Sequence, residues 1–163
     1  MFGSSAKGAN AYASVGIETG IAAASPHKLI VMLFDGAMAA VTSALTHMQT
    51  KNIAAKGQAI SKAILIIDSG LRASLDKKVG GQIATSLDSL YEYMSNRLLV
   101  ANLNNQPEIL EEVHRLLADL KGAWVEMGVR IEQNAATIPN AMPTMQKIPS
   151  INADIYSARL AKA

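Results

Sequence analysis

The stretch PEILEEVHRLLADLKGAWVEMGVRIEQ, residues 107–133, decides the fold. Val113, Leu117, Leu120, Trp124, Met127 and Ile131 recur along it at alternating intervals of four and three residues. An α-helix turns once every ~3.6 residues, so this spacing places all six on one face and predicts a helix with one apolar stripe. Glu108, Glu111 and Glu112 gather near its start, where the helix dipole favours negative charge. Asn105, ahead of Pro107 and Glu108, resembles a capping box for this helix.

Three more helical patterns precede it. Ser25-Pro26 is a helix start, with serine as N-cap and proline already at helical φ. From there Ile30, Leu33, Ala37, Val41, Ala44 and Met48 form one stripe, and Phe34, Met38 and Leu45 form a second beside it. Asn52 can cap the next helix, which carries Ile60, Ile64, Ile67 and Leu71. Residues 76–81 read as a turn, and Ile83, Leu87, Leu90, Met94, Leu98 and Ala101 mark a third helix that frays over residues 102–105. Four helices of roughly 20–28 residues joined by short connections give an all-α, antiparallel up-down-up-down four-helix bundle.

The segments outside the bundle differ in kind. Residues 1–24 are small and polar and carry too little apolar area for a core, so they read as an N-terminal arm. The bundle occupies residues 25–134. Residues 135–163 hold Pro139, Pro143 and Pro149 with Met142 and Met145, and read as a flexible Pro/Met-rich C-terminal tail with a short helix near 152–162. Its apolar groups, Ile151 and Leu160 among them, suggest that it lies transiently over a bundle groove as a weak internal competitor.

Composition narrows the function. The chain has 163 residues, 50% of them hydrophobic and only 4% aromatic, a palette that favours helices over strands. With 0 cysteines, disulfides, thiolate zinc sites and thiol nucleophiles are excluded. The net charge of +2 resides in the tail, and no cluster of Lys and Arg suits a nucleic-acid backbone. The start of the chain lacks a signal-peptide pattern and no uninterrupted apolar run suits a membrane span, so a cytoplasmic protein without membrane insertion is expected.

Catalytic constellations are sparse. Glu111-x-x-His114 has a di-iron ligand spacing, but such a site needs the motif twice and two further inward glutamates. His27, His47 and His114 lack the Lys and Gly neighbours expected of a phosphotransfer histidine and read as surface imidazoles. No glycine-rich phosphate loop is present. The reading is of a non-enzymatic binding module with no catalytic residue, no metal and no cofactor. The competing class is a metal- or phosphate-handling four-helix-bundle enzyme. Apolar residues exceed what one face per helix buries, as in the run Ala63-Ile64-Leu65-Ile66-Ile67, and excess apolar surface marks partner sites.

Three stretches carry a family resemblance: SPHKLIVMLFDGA at 25–37, AISKAILIIDSGL at 59–71, and GGQIATSL at 80–87 running into LYEYM at 90–94 and RLL at 97–99. In order and spacing they closely resemble the FliS family of flagellar export chaperones over about residues 10–130. Gln82 stands where the family often has an acidic residue, and the tail has no counterpart. The resemblance implies a cytoplasmic chaperone that binds the C-terminal segment of flagellin, prevents premature polymerisation and delivers it to the export gate of the type III secretion system. Phe34, Met38, Leu45 and Ile66, apolar beyond the principal stripe, are the expected flagellin contacts. Tyr12, the only large aromatic between Phe2 and Phe34, is the expected contact to the export gate. A monomer or weak dimer is expected.

Overall fold

The structure, a computed structural model, describes residues 24–137. Helix α1 spans Pro26–Gln49, α2 Ile53–Leu65, α3 Lys77–Asn104 and α4 Pro107–Ala136. Between α2 and α3 the chain continues as a π-helical segment, Ile66–Arg72. The described residues contain no strand, and the all-α class is as expected. The chain divides into two compact units, Met1–Gly128 and Val129–Ala163, and the contacts described below lie within the first.

Local chemistry sets the helix starts. The Ser25 hydroxyl accepts from the Lys28 N–H at 3.2 Å with Pro26 in the first turn, and Asn52 Oδ1 accepts from the Ala55 N–H at 3.2 Å. Two junctions differ from expectation. Residues 77–80, expected as turn, form a helical first turn because Asp76 Oδ1 accepts from the N–H groups of Lys78 and Val79; the bend falls at Gly81, with φ 52° and ψ −128°. Asn105 ends α3 in a left-handed conformation, φ 51°, instead of capping α4. Its amide oxygen is taken by Lys56, so it is not available to the N–H groups of α4.

The core is built from the expected stripes, narrowed at their ends. Phe34, Ala37, Val41 and Ala44 of α1 meet Ile60 and Ala63 of α2, Ile67 and Leu71 of the π segment, Met94, Leu98 and Ala101 of α3, and Leu110, Val113 and Leu117 of α4. Ile83 at 73% exposed, Met127 at 43% and Ile131 at 61% lie outside it, since the stripes run past the packed middle of the bundle. Small alanines at the α1 contact let neighbouring backbones approach closely. Of the described helices α1 alone is long and apolar enough to cross a membrane by length and composition, and its five buried residues are spent on this core.

Polar contacts tie the helices together around the core. The buried Lys56 ammonium donates to the Asn102 carbonyl at 2.9 Å and to Asn105 Oδ1 at 2.5 Å, holding α2 to the end of α3. Arg72 and Lys77 converge on Asp88 at 2.6 and 3.1 Å, and Ser95 donates to Asp68 at 2.9 Å, which fastens the π segment to α3. Arg97 Nη2 reaches Glu112 Oε2 at 2.6 Å, and the Tyr93 hydroxyl donates to the other Glu112 oxygen, joining α3 to α4. His27 and Trp124 join α1 to α4. Their rings stack at 5.5 Å, His27 Nε2 lies 2.6 Å from the Trp124 carbonyl oxygen, and the indole N–H donates to the His27 carbonyl at 3.2 Å.

Candidate functional site: an apolar groove between the first and last helices

The seam between α1 and α4 opens into a cavity of 360 Å³. Val41, Leu45, Leu110 and Ala118 supply its apolar floor, and Thr42, Glu111, His114 and Arg115 its polar rim. The floor arises from periodicity: Val41 and Leu45 are one turn apart on α1, and Leu110 and Ala118 lie two turns apart on the same face of α4. An apolar trough with charged edges of both signs fits an amphipathic helix, whose apolar face fills the trough while its flanks meet the rim. A second cleft of 370 Å³, between α2 and the π segment on one side and α3 on the other, is lined by Ser61, Ile64, Leu65, Asp68, Ser69 and Leu99. Leu65 at 61% and Leu99 at 50% are open to solvent there.

The four expected flagellin contacts do not share one surface. Leu45 lines the α1–α4 groove. Met38 is half-buried and packs on the core margin. Ile66 is also half-buried, and its Cδ1 would stand 3.4 Å from a Cβ added at Gly36, so it closes the gap between the π segment and α1. Phe34, at 2% exposed, is in the core and presents no face to a client in this conformation. Of the second stripe of α1, Leu45 alone lines the groove, and it too is half-buried against the core. Tyr12 lies outside the described residues.

Glu111, His114 and Arg115 were not anticipated as groove residues. The sequence did mark Glu111 and His114 as neighbours on one helix face; what it lacked was the seam beside them. Among the described residues no group of three or more His, Asp or Glu is placed to hold a metal ion, so the Glu-x-x-His spacing acquires no further ligand there.

Electrostatics concentrate on the α3 face. The Asp88 carboxyl is held below the usual carboxylate range, chiefly by its hydrogen bond from Arg72 and then by that from Lys77. Glu112 is lowered by the Tyr93 hydroxyl and then by Arg97. Burial pushes the Tyr91 phenol up to about 12. Each shift reflects packing or bridging between elements, and none of these three residues lines the groove.

Comparison with known proteins places this architecture. The family model described as flagellar protein FliS matches residues 8–131, most of the chain and nearly all of the four helices. The chain belongs to the FliS family. The flagellar secretion chaperone FliS of Salmonella typhimurium is 50% identical over 122 residues, covering 75% of this chain and 90% of the relative. That of Escherichia coli is 45% identical over 121 residues, 74% of this chain and 89% of the relative. The Bacillus subtilis FliS is 29% identical over 101 residues, 62% and 74% of the two chains. The FliS match includes the α1–α4 groove and ends before the tail.

Proposed function

We propose that this chain is a cytoplasmic, non-enzymatic chaperone that binds the C-terminal segment of flagellin, prevents its premature polymerisation and delivers it to the type III export gate. The observation that carries the reading is an apolar groove between α1 and α4 in a chain of the FliS family. Leu45 and Ala118, half-buried at the groove, receive an amphipathic helix of the client over the buried Val41 and Leu110, while Met38 and Ile66 support the α1 wall. Phe34 acts through the core behind it. A client that folds only on the chaperone is stabilised by area burial yet remains extractable, because it gives back the ordering cost on release. Tyr12 engages the export gate. The chaperone works as a monomer or weak dimer and needs no cofactor.

Leu45→Glu tests the groove. A carboxylate placed on the apolar floor loses its hydration when a client helix is seated, so flagellin affinity should fall at least tenfold, about 1.4 kcal/mol. Leu45 is only half-buried, so the melting temperature should change little. Unchanged flagellin affinity in a folded variant would move the client site elsewhere. For Tyr12, full motility of a Tyr12→Ala strain would remove the assignment to the gate.

A further inference from the structure

One end of the bundle carries a separate cavity of 450 Å³ where the α1–α2 and α3–α4 turns meet. Met48, Ile53 and Pro107 form apolar walls; Gln49, Lys51 and Asn105 supply polar groups. Among the described residues no Asp or Glu lines it. Among the described residues Lys51 and Asn105 are the two non-glycine residues in left-handed conformation, at φ 57° and 51°, and both line this one cavity.

Charge decides what the cavity suits. The Lys51 ammonium makes no ion pair or hydrogen bond among the described residues. Behind the wall, Lys56 is 4% exposed and likewise has no carboxylate partner among them; its donors go to the Asn102 carbonyl and Asn105 Oδ1. An ammonium can only donate, so it fixes the amide oxygen of Asn105 toward itself and turns the NH2 group away. Lys56 is thereby a positioning residue. The cavity combines apolar walls, a free cation at its edge and an oriented amide donor. That set complements an apolar residue bearing an anionic group with hydrogen-bond acceptors.

We infer that this bundle-end cavity captures the free α-carboxylate of the client polypeptide, with Lys51 and the Asn105 amide on the carboxylate and the last apolar side chain of the client against Met48, Ile53 and Pro107. The inference rests on the proposed binding of the flagellin C-terminal segment and adds a reading of chain termination: the chaperone senses that the client ends here. Carboxylate capture by converging donors is a recurrent mode of peptide recognition.

The test compares two synthetic peptides covering the C-terminal segment of the cognate flagellin, one a free acid and one C-terminally amidated, titrated calorimetrically into the full-length chaperone. The amide should bind on the order of tenfold more weakly, the scale of a charge-assisted hydrogen bond. Lys51→Gln should weaken the acid more than the amide and so shrink the difference between them, with an unchanged thermal melt showing that the variant is folded. Equal affinity of acid and amide for the wild-type protein would overturn the inference and leave the proposed client intact. Binding of neither peptide would overturn both. Displacement of both peptides alike by a long-chain fatty acid, with no difference between acid and amide, would assign the cavity to a lipid and overturn the inference.

Discussion

Gly122 and Gly128 lie on the same helix and forecast opposite outcomes. A Cβ added at Gly122 meets nothing within 4 Å, so Gly122→Ala should gain helix propensity and stabilise the protein by up to about 1 kcal/mol. At Gly128 a Cβ would overlap the His27 ring, so Gly128→Ala must push that ring off Trp124 and should cost about 1–3 kcal/mol despite the better propensity. Thermal melts of the two variants check the contrast, and the fluorescence of the single tryptophan should change in the second alone. Residue by residue, the sequence shows what a helix repeats and conceals what a contact pairs. His27 reads as a surface imidazole because its partner, Trp124, is 97 positions away and no local pattern links them. Phe34 reads as surplus for the same reason: one apolar stripe was assigned to the core, whereas α1 has neighbours on two sides and buries parts of both.

At the scale of elements, the helices and their stripes were legible because period and capping are local properties. Ser25, Pro26 and Asn52 perform the expected capping roles. The π segment was not legible. Its sequence continues the apolar repeat of α2, and the wider turn is accompanied by contacts across elements, with Arg72 and Asp68 held by α3. The bend at Gly81 has a sharper requirement. With φ 52° and ψ −128° the position favours glycine, so Gly81→Ala should destabilise by about 1–3 kcal/mol, measurable by denaturant unfolding, even though a Cβ there would touch nothing. The bridges between elements also set the acid response. Asp88 and Glu112 have pKa values lowered by folding, so each contributes stability that is present above its unfolded pKa and is lost as pH falls through its folded value. The melting temperature should therefore hold near neutrality and decline below about pH 4, the ordinary carboxylate range. Asp88→Asn should lower it at neutral pH and make the acid decline shallower; an identical acid slope would show that Asp88 adds nothing to it.

For the described bundle as a whole, the four helices and the apolar excess were legible in the sequence, and the position of the open surface was not. Grooves form where two helices diverge, and divergence depends on side-chain sizes along both. The α1–α4 seam opens beside Leu45 and Ala118, whereas the α1 contact with the π segment is filled by Ile66 over Gly36. The chain belongs to the FliS family, and the proposed account assigns the α1–α4 groove to flagellin. The most direct measurement is the affinity of the full-length chaperone for flagellin with and without its C-terminal segment, by calorimetry, alongside Leu45→Glu. The account expects tight binding to intact flagellin and its loss on removal of the segment, with at least a tenfold loss for Leu45→Glu. Equal binding of intact and truncated flagellin would contradict it.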